Sequence, residues 1–162
     1  MSVEVRPYSE GDIPRMRAIW NEVVAAGNAF PQVDGLADDA EASAFFGGQT
    51  KCAVAVADGE VAGLYILHPN NIGRCSHVAN ASYAVDASRR GGGIGRALVL
   101  DSLASLGPCG FTGLQFNAVV ASNEGARHLY ESIGFTRIGM IPGGFRNGAG
   151  EFEDMFIYYH GA

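Results

Sequence analysis

Between Val85 and Leu98 the chain reads V-D-A-S-R-R-G-G-G-I-G-R-A-L. Gly91, Gly92, Gly93 and Gly95 fall within five positions, flanked by Arg90 and Arg96. The alternation of His77 to Val85 predicts a strand before them. The spacing of Ile94, Leu98, Val99 and Leu106 predicts a helix after them. The first N–H groups of such a helix have no intrahelical partner, and the positive end of its dipole faces the loop. Glycine lets an anion approach those amides because no Cβ stands in the way. Arg90 and Arg96 add charge to the same anion. The ligand that fits is a pyrophosphate. Two common carriers are excluded by spacing. A Walker loop ends in Gly-Lys-Ser/Thr, whereas Gly95 is followed by Arg96-Ala97. The dinucleotide fingerprint G-x-G-x-x-G fails from Gly91 at Arg96, and from Gly93 at Leu98.

A second group of residues is polar and neutral. Asn80 and Asn117 are amides inside otherwise small or apolar strands. An amide both donates and accepts, so such a pair suits an amino acid's carboxylate and amine, or else braces two strands. Asn123 sits where a helix begins and suits an N-cap. Tyr130 sits on an amphipathic helix, where a ring packs and a hydroxyl can reach a site. No residue stands out as a general base. His77 and Glu22 are weak candidates, and His128 reads as a surface residue. Arg146 reads either as a carboxylate partner or as a loop arginine.

The elements that position these groups follow from periodicity and turn residues. Strands are expected over 3–8, 51–57, 61–67, 77–85, 113–119, 135–141 and 152–159. Helices are expected from about 13 to Gly27, over 38–46, 94–106 and 123–133, with Gly134 closing the last. Asp12 with Pro14 marks the first helix start. Asp58-Gly59 between apolar runs marks a hairpin. Strand 77–85, helix 94–106 and strand 113–119 form one right-handed crossover, so that strand pair is parallel. The fold class is α/β, with a mixed and mostly antiparallel sheet of about seven strands and four helices. The glycine-rich segment Gly143, Gly144, Gly148 and Gly150 reads as a mobile loop covering an acceptor pocket.

Composition narrows the function classes. The 162 residues suit a single domain over 1–162, with 48% hydrophobic residues to build its core. Glycine, at 23 residues, is in excess without a triplet period. The net charge of −6 argues against a nucleic-acid partner. No apolar run reaches the roughly 18 residues of a membrane span, and the opening residues lack a signal-peptide pattern. Three cysteines without CxxC spacing argue against a disulfide scaffold or metal site. A cytoplasmic setting is expected.

Arg90-x-x-Gly93-x-Gly95 resembles the pyrophosphate motif of the GNAT N-acetyltransferase superfamily, Gln/Arg-x-x-Gly-x-Gly/Ala. The stretch Asn117 to Phe135, with Asn123, Leu129-Tyr130 and Gly134-Phe135, resembles that family's second block, and Arg6-Pro7 with Asp12 resembles its opening. The resemblance covers residues 3–159. It implies acetyl-CoA as cosubstrate, no metal, and a parallel strand pair splayed at its C-terminal ends. The pantetheine arm is then expected along Tyr83, Ala84 and Val85, and the pyrophosphate on the amides from Gly91 through Gly92, Gly93, Ile94, Gly95 and Arg96. Asn123 is expected to reach the arm. Tyr130 is expected to protonate the departing thiolate after an amine attacks a thioester carbonyl polarised by a backbone N–H of strand 77–85. Members often pair, so a homodimer is a further implication.

A narrower likeness concerns the acceptor. Pro69-Asn70, Arg74 to Ala81, Phe116-Asn117 and Ser122-Asn123 resemble the fungal proline-analogue N-acetyltransferases, which act on azetidine-2-carboxylate. This implies acceptor contacts at Asn80, Asn117 and Ala118. The segment Ile141 to Arg146 departs from that subgroup. The expected activity is acetylation of a small-molecule amine, such as an amino or imino acid. Two other readings stay open: acetylation of a protein N-terminus or lysine, and a non-catalytic acyl-CoA sensor.

Overall fold

A computed structural model describes residues 2–162. Asp58 and Gly59 both adopt positive φ, at 52° and 79°. That pair of left-handed residues makes the tight turn of a twisted hairpin. It joins Lys51–Ala57 (β2) to Glu60–Pro69 (β3). Before it lie Val3–Pro7 (β1), Ile13–Ala26 (α1) and Asp39–Gly47 (α2). After it come Val78–Val85 (β4), Ile94–Ser105 (α3), Gly113–Val120 (β5), Glu124–Ile133 (α4), Thr136–Arg146 (β6) and Phe152–Gly161 (β7). The order and type of these elements are those expected from the sequence.

The seven strands form one sheet in the order β1-β2-β3-β4-β5-β7-β6. Every neighbouring pair is antiparallel except β4 and β5. The parallel pair is brief, matching only Val78 with Gly113 and Ala79 with Leu114. Beyond that point the two strands diverge.

Helices cover both faces. Ile94, Leu98 and Val99 of α3 share one core with Ala53, Ala55, Tyr65 and Leu67. Ile13, Met16, Trp20 and Val23 of α1 share the other with Cys52, Val54, Leu64 and Ile66. Burial on both faces explains why β2 and β3 read as nearly continuous apolar runs. Each fully buried large aliphatic side chain contributes about 1.5–3 kcal/mol. Polar ties fix α3 over the sheet: Tyr65 donates to Asp101 (2.7 Å), and Tyr83 shares a hydrogen bond with Ser102 (2.7 Å). At the N-terminal end, Arg6 grips both carboxylate oxygens of Asp12 (2.8 and 3.0 Å).

One expectation is corrected here. Gly143 and Gly144 belong to strand β6, which runs on to Arg146 and pairs with β7. The remaining residues form a tight turn in which the Asn147 side-chain oxygen accepts from the amides of Ala149 and Glu151 (both 3.0 Å). The segment is thus hairpin, not a loop over a pocket. The strand expected over 135–141 is present, but bulges between Arg137 and Gly139 and between Ile141 and Phe145 break its alternation and masked its continuation to Arg146.

Candidate active site

The divergence of β4 and β5 opens a cleft of about 730 Å³. Its floor comes from β4 (Asn80 to Tyr83, and Val85) and β5 (Phe116 to Val120). The glycine turn from Arg90 to Arg96 closes one end, and α4 contributes Leu129 and Tyr130. Among the described residues its charged lining is arginine only: Arg89, Arg90 and Arg96. In a chain of net charge −6 this makes a local positive patch.

At the turn, Asp86 accepts from the backbone and hydroxyl of Ser88 (2.9 and 2.8 Å) and pairs with Arg15. The Ser88 hydrogen bonds, and secondarily Arg15, hold its carboxyl below the ordinary 3.8. Asp86 thereby anchors the chain where it leaves β4. Gly93, with φ 79°, stands at the N-cap of α3 and supplies no side-chain cap. A Cβ at Gly91 or Gly93 would meet open space, not protein. The turn therefore presents uncapped helix amides to the cleft, as anion binding requires. The arginines divide in role. Arg89 bonds Glu60 (2.7 Å) and the Ala57 carbonyl (3.1 Å). Arg90 has no hydrogen-bonding protein partner among the described residues, and Arg96 reaches only Ser132, at 3.4 Å. Arg90 and Arg96 are both exposed.

Because β5 has already left, β4 beyond Ala79 is paired on one edge only, with β3. The backbone groups of Ala81, Tyr83 and Val85 thus face the cleft, whereas Ala84 is buried, pairs with Leu64 of β3 and does not line it. Asn123 caps α4 through its side-chain oxygen, which accepts from Ala126 (3.3 Å). Its amide nitrogen remains beside the cleft.

Tyr130 lies in an aromatic cluster, with ring centroids 4.5 Å from Phe116, 5.6 Å from Phe135 and 6.3 Å from Tyr83. Burial, with the nearby Tyr158, pushes its hydroxyl well above the usual tyrosine range. The proton is therefore held on oxygen at neutral pH, leaving a donor.

Asn80 and Asn117 both line the cleft, and both are already engaged. Asn80 donates to the Gln115 carbonyl across the split (2.8 Å). Asn117 donates to Asn70 (2.6 Å) and accepts from Gln115 (2.9 Å). They brace the splay while the Asn80 oxygen stays free to accept. Asn117 and Ala118 occupy a bulge in the pairing of β5 with β7, which turns them toward the gap.

Other sequence candidates fall outside the lining. His77, His128 and Arg146 are exposed elsewhere. Glu22 accepts from the Ala87 amide (3.0 Å). Cys52 is buried, which pushes its thiol up to about 12. One further wall of the cleft was not foreseen. It consists of Val23 with Asn28, Ala29, Phe30 and Pro31, just after α1. The Phe30-Pro31 pair, apolar in a polar loop, was its one visible signal. The segment Gly143 to Gly150 contributes nothing to the lining.

The model of the Acetyltransferase (GNAT) family matches residues 17–135. The chain belongs to the GNAT acetyltransferase family. Among similar solved structures is a GCN5-related N-acetyltransferase from Kribbella flavida. It is 34% identical, with a TM-score of 0.89 over 99% of this chain and 98% of that one. A phosphinothricin acetyltransferase from Sinorhizobium meliloti, solved in complex with acetyl-CoA, shares the fold at 20% identity. Its TM-score is 0.90, over 99% of this chain and 89% of that one. The N-acetyltransferase aca1 of Schizosaccharomyces pombe is 39% identical over 100 residues, 60% of this chain. The GNAT chain described here spans 48% of that relative's length in the match. No helix among the described residues is long and apolar enough to cross a membrane.

Proposed function

We propose that this GNAT chain is a single-domain, acetyl-CoA-dependent N-acetyltransferase acting on a small-molecule amine, of which an imino acid is the favoured class. The observation that carries the reading is the cleft itself, with a glycine-arginine turn at one end, an amide pair toward the other and Tyr130 on its wall. The open amides at Gly93 to Arg96, with Arg90 and Arg96, fit a pyrophosphate. The free edge of β4 fits an extended pantetheine arm, with Asn123 at its side.

Acetyl-CoA supplies an activated acetyl thioester. The chain's residues do the rest. A β4 backbone N–H stabilises the oxygen that gains charge when the amine attacks. The Tyr130 hydroxyl hydrogen-bonds the departing sulfur and donates its proton, and the proton shed by the newly acylated nitrogen restores the phenol. Among the described residues no carboxylate or imidazole lines the cleft, so a charged amine finds no counter-ion there. This favours an acceptor that carries its own carboxylate over a lysine side chain or polyamine. The free Asn80 oxygen accepts from such an amine. The Phe30-Pro31 wall suits a small apolar ring. The 39% match to aca1 supports an N-acetyltransferase, and the segments around Asn80, Asn117 and Asn123 resemble those of the proline-analogue enzymes. The three unpaired thiols suit a reduced, cytoplasmic setting.

The test is thiol release from acetyl-CoA across azetidine-2-carboxylate, L-proline, primary amino acids, spermidine and a basic peptide. The imino acids should turn over fastest. Preference for spermidine or the peptide would overturn the acceptor assignment. Acetyl-CoA that neither binds nor raises the melting temperature would overturn the activity.

A further inference from the structure

The Phe30-Pro31 wall is held in place from a distance. Residues 28–31 follow directly on Gly27, which ends α1 in the left-handed region at φ 67°. One side of the wall is fixed by packing, since Phe30 is buried 4.5 Å from the ring of Trp20. Its origin is fixed by the tip of the β6–β7 hairpin. Gly148 donates its backbone N–H to the Gly27 carbonyl at 2.8 Å. The two backbones touch so closely that a Cβ at Gly27 would lie 2.8 Å from Gly148 Cα and 3.0 Å from its nitrogen. No ordinary side chain tolerates that approach. The tip is itself rigid. Asn147 accepts from the amides of Ala149 and Glu151 and donates to Glu153 (3.0 Å).

We infer that the Gly27–Gly148 contact sets the position of the wall at residues 28–31, making the hairpin tip a specificity-determining element that touches no substrate. The inference rests on the acetyltransferase reading for its kinetic consequence but not for its structural one. Asn147 and Gly148 are positioning residues. Neither Gly27 nor Gly148 bonds to a residue of the pyrophosphate turn.

Four substitutions separate the joint from general strain. Gly148→Pro removes the N–H. Gly27→Asn keeps a residue that tolerates the left-handed region but adds a Cβ that strikes Gly148. Asn147→Ala loosens the tip without touching either glycine. Gly59→Ala places similar strain in a turn (φ 79°) where a Cβ meets nothing within 4 Å. Amide hydrogen exchange at residues 24–26, the bonded last turn of α1 from which the wall leads off, should quicken about tenfold in the first three and stay unchanged in Gly59→Ala. Acrylamide quenching of Trp20, the sole tryptophan, should rise with it. Exchange at residues 93–96 should not move. With azetidine-2-carboxylate as probe, KM for the acceptor should rise about tenfold while KM for acetyl-CoA stays within about twofold. Unchanged exchange at 24–26 with unchanged Trp20 quenching, or faster exchange spread evenly over the chain, overturns the inference. If the intact protein acetylates no amine, the exchange and quenching results still decide the joint. Failure of the function and failure of the inference are thus separable.

Discussion

Tyr130 is a residue whose type was visible in the sequence and whose environment was not. Its place four positions before Gly134-Phe135 carried the family resemblance. The enclosing rings of Phe116, Phe135 and Tyr83 come from β5, β6's entry and β4, far apart in the chain. Packing among those rings raises the phenol's pKa further above the tyrosine value of 10.0, so the hydroxyl stays a donor well into the alkaline range. Tyr130→Phe keeps the ring packing and removes the donor. It should lower kcat by about 10²-fold while leaving the acetyl-CoA dissociation constant unchanged, as read by steady-state kinetics beside calorimetry. Asn80 and Asn117 teach the opposite lesson. Their types suggested a ligand or a brace, and the distances to Gln115 and Asn70 show the brace. The proposed role toward an acceptor rests on the Asn80 oxygen, which stays free.

At the scale of the element, the glycine turn was the most legible part of the site. Strand, loop and helix are contiguous in sequence, so their geometry is local. Gly93 needs its glycine twice, for a left-handed φ of 79° and for open space above the first turn of α3. Gly93→Val should therefore abolish acetyl-CoA binding, seen as loss of the ligand-induced rise in melting temperature, while the far-UV spectrum is retained. The β6–β7 hairpin was the least legible element. Pro142 and four glycines between 143 and 150 carry loop signals, and two bulges disrupt the period of two. Its strand character comes from pairing with β7, a non-local cause that overrides local propensity.

At the scale of the molecule, two lowered carboxyls tie the chain's beginning to the site. Arg6 first, then the Ser9 amide, hold Asp12 below its ordinary 3.8, against a smaller opposing effect of burial. Asp86 is held down chiefly by Ser88. A folded-state pKa below the unfolded one contributes stability that is present above the unfolded value and lost as pH falls through the folded one. Urea midpoints should therefore be level near neutrality and fall below about pH 4. Asp12→Asn should be less stable at neutral pH and should show a shallower fall in acid. A midpoint for Asp12→Asn that falls as steeply in acid as that of the intact protein would refute the assignment. The same molecule gathers cationic lining in one cleft while its net charge is −6, so binding of a polyanionic cosubstrate there should weaken with added salt.

The order of seven strands and four helices, the hairpin at Asp58-Gly59 and the glycine turn with open helix amides were all legible along the chain. Each of these depends on periodicity, capping or backbone freedom within a few residues. Where the splayed pair β4 and β5 parts, that Arg89 bonds Glu60 while Arg90 is left free, and that residues 28–31 wall the cleft emerge only from the folded chain. These outcomes depend on which distant segments meet. A single chain read residue by residue carries no record of a contact such as Gly27 on Gly148, because neither glycine has a side chain to announce it.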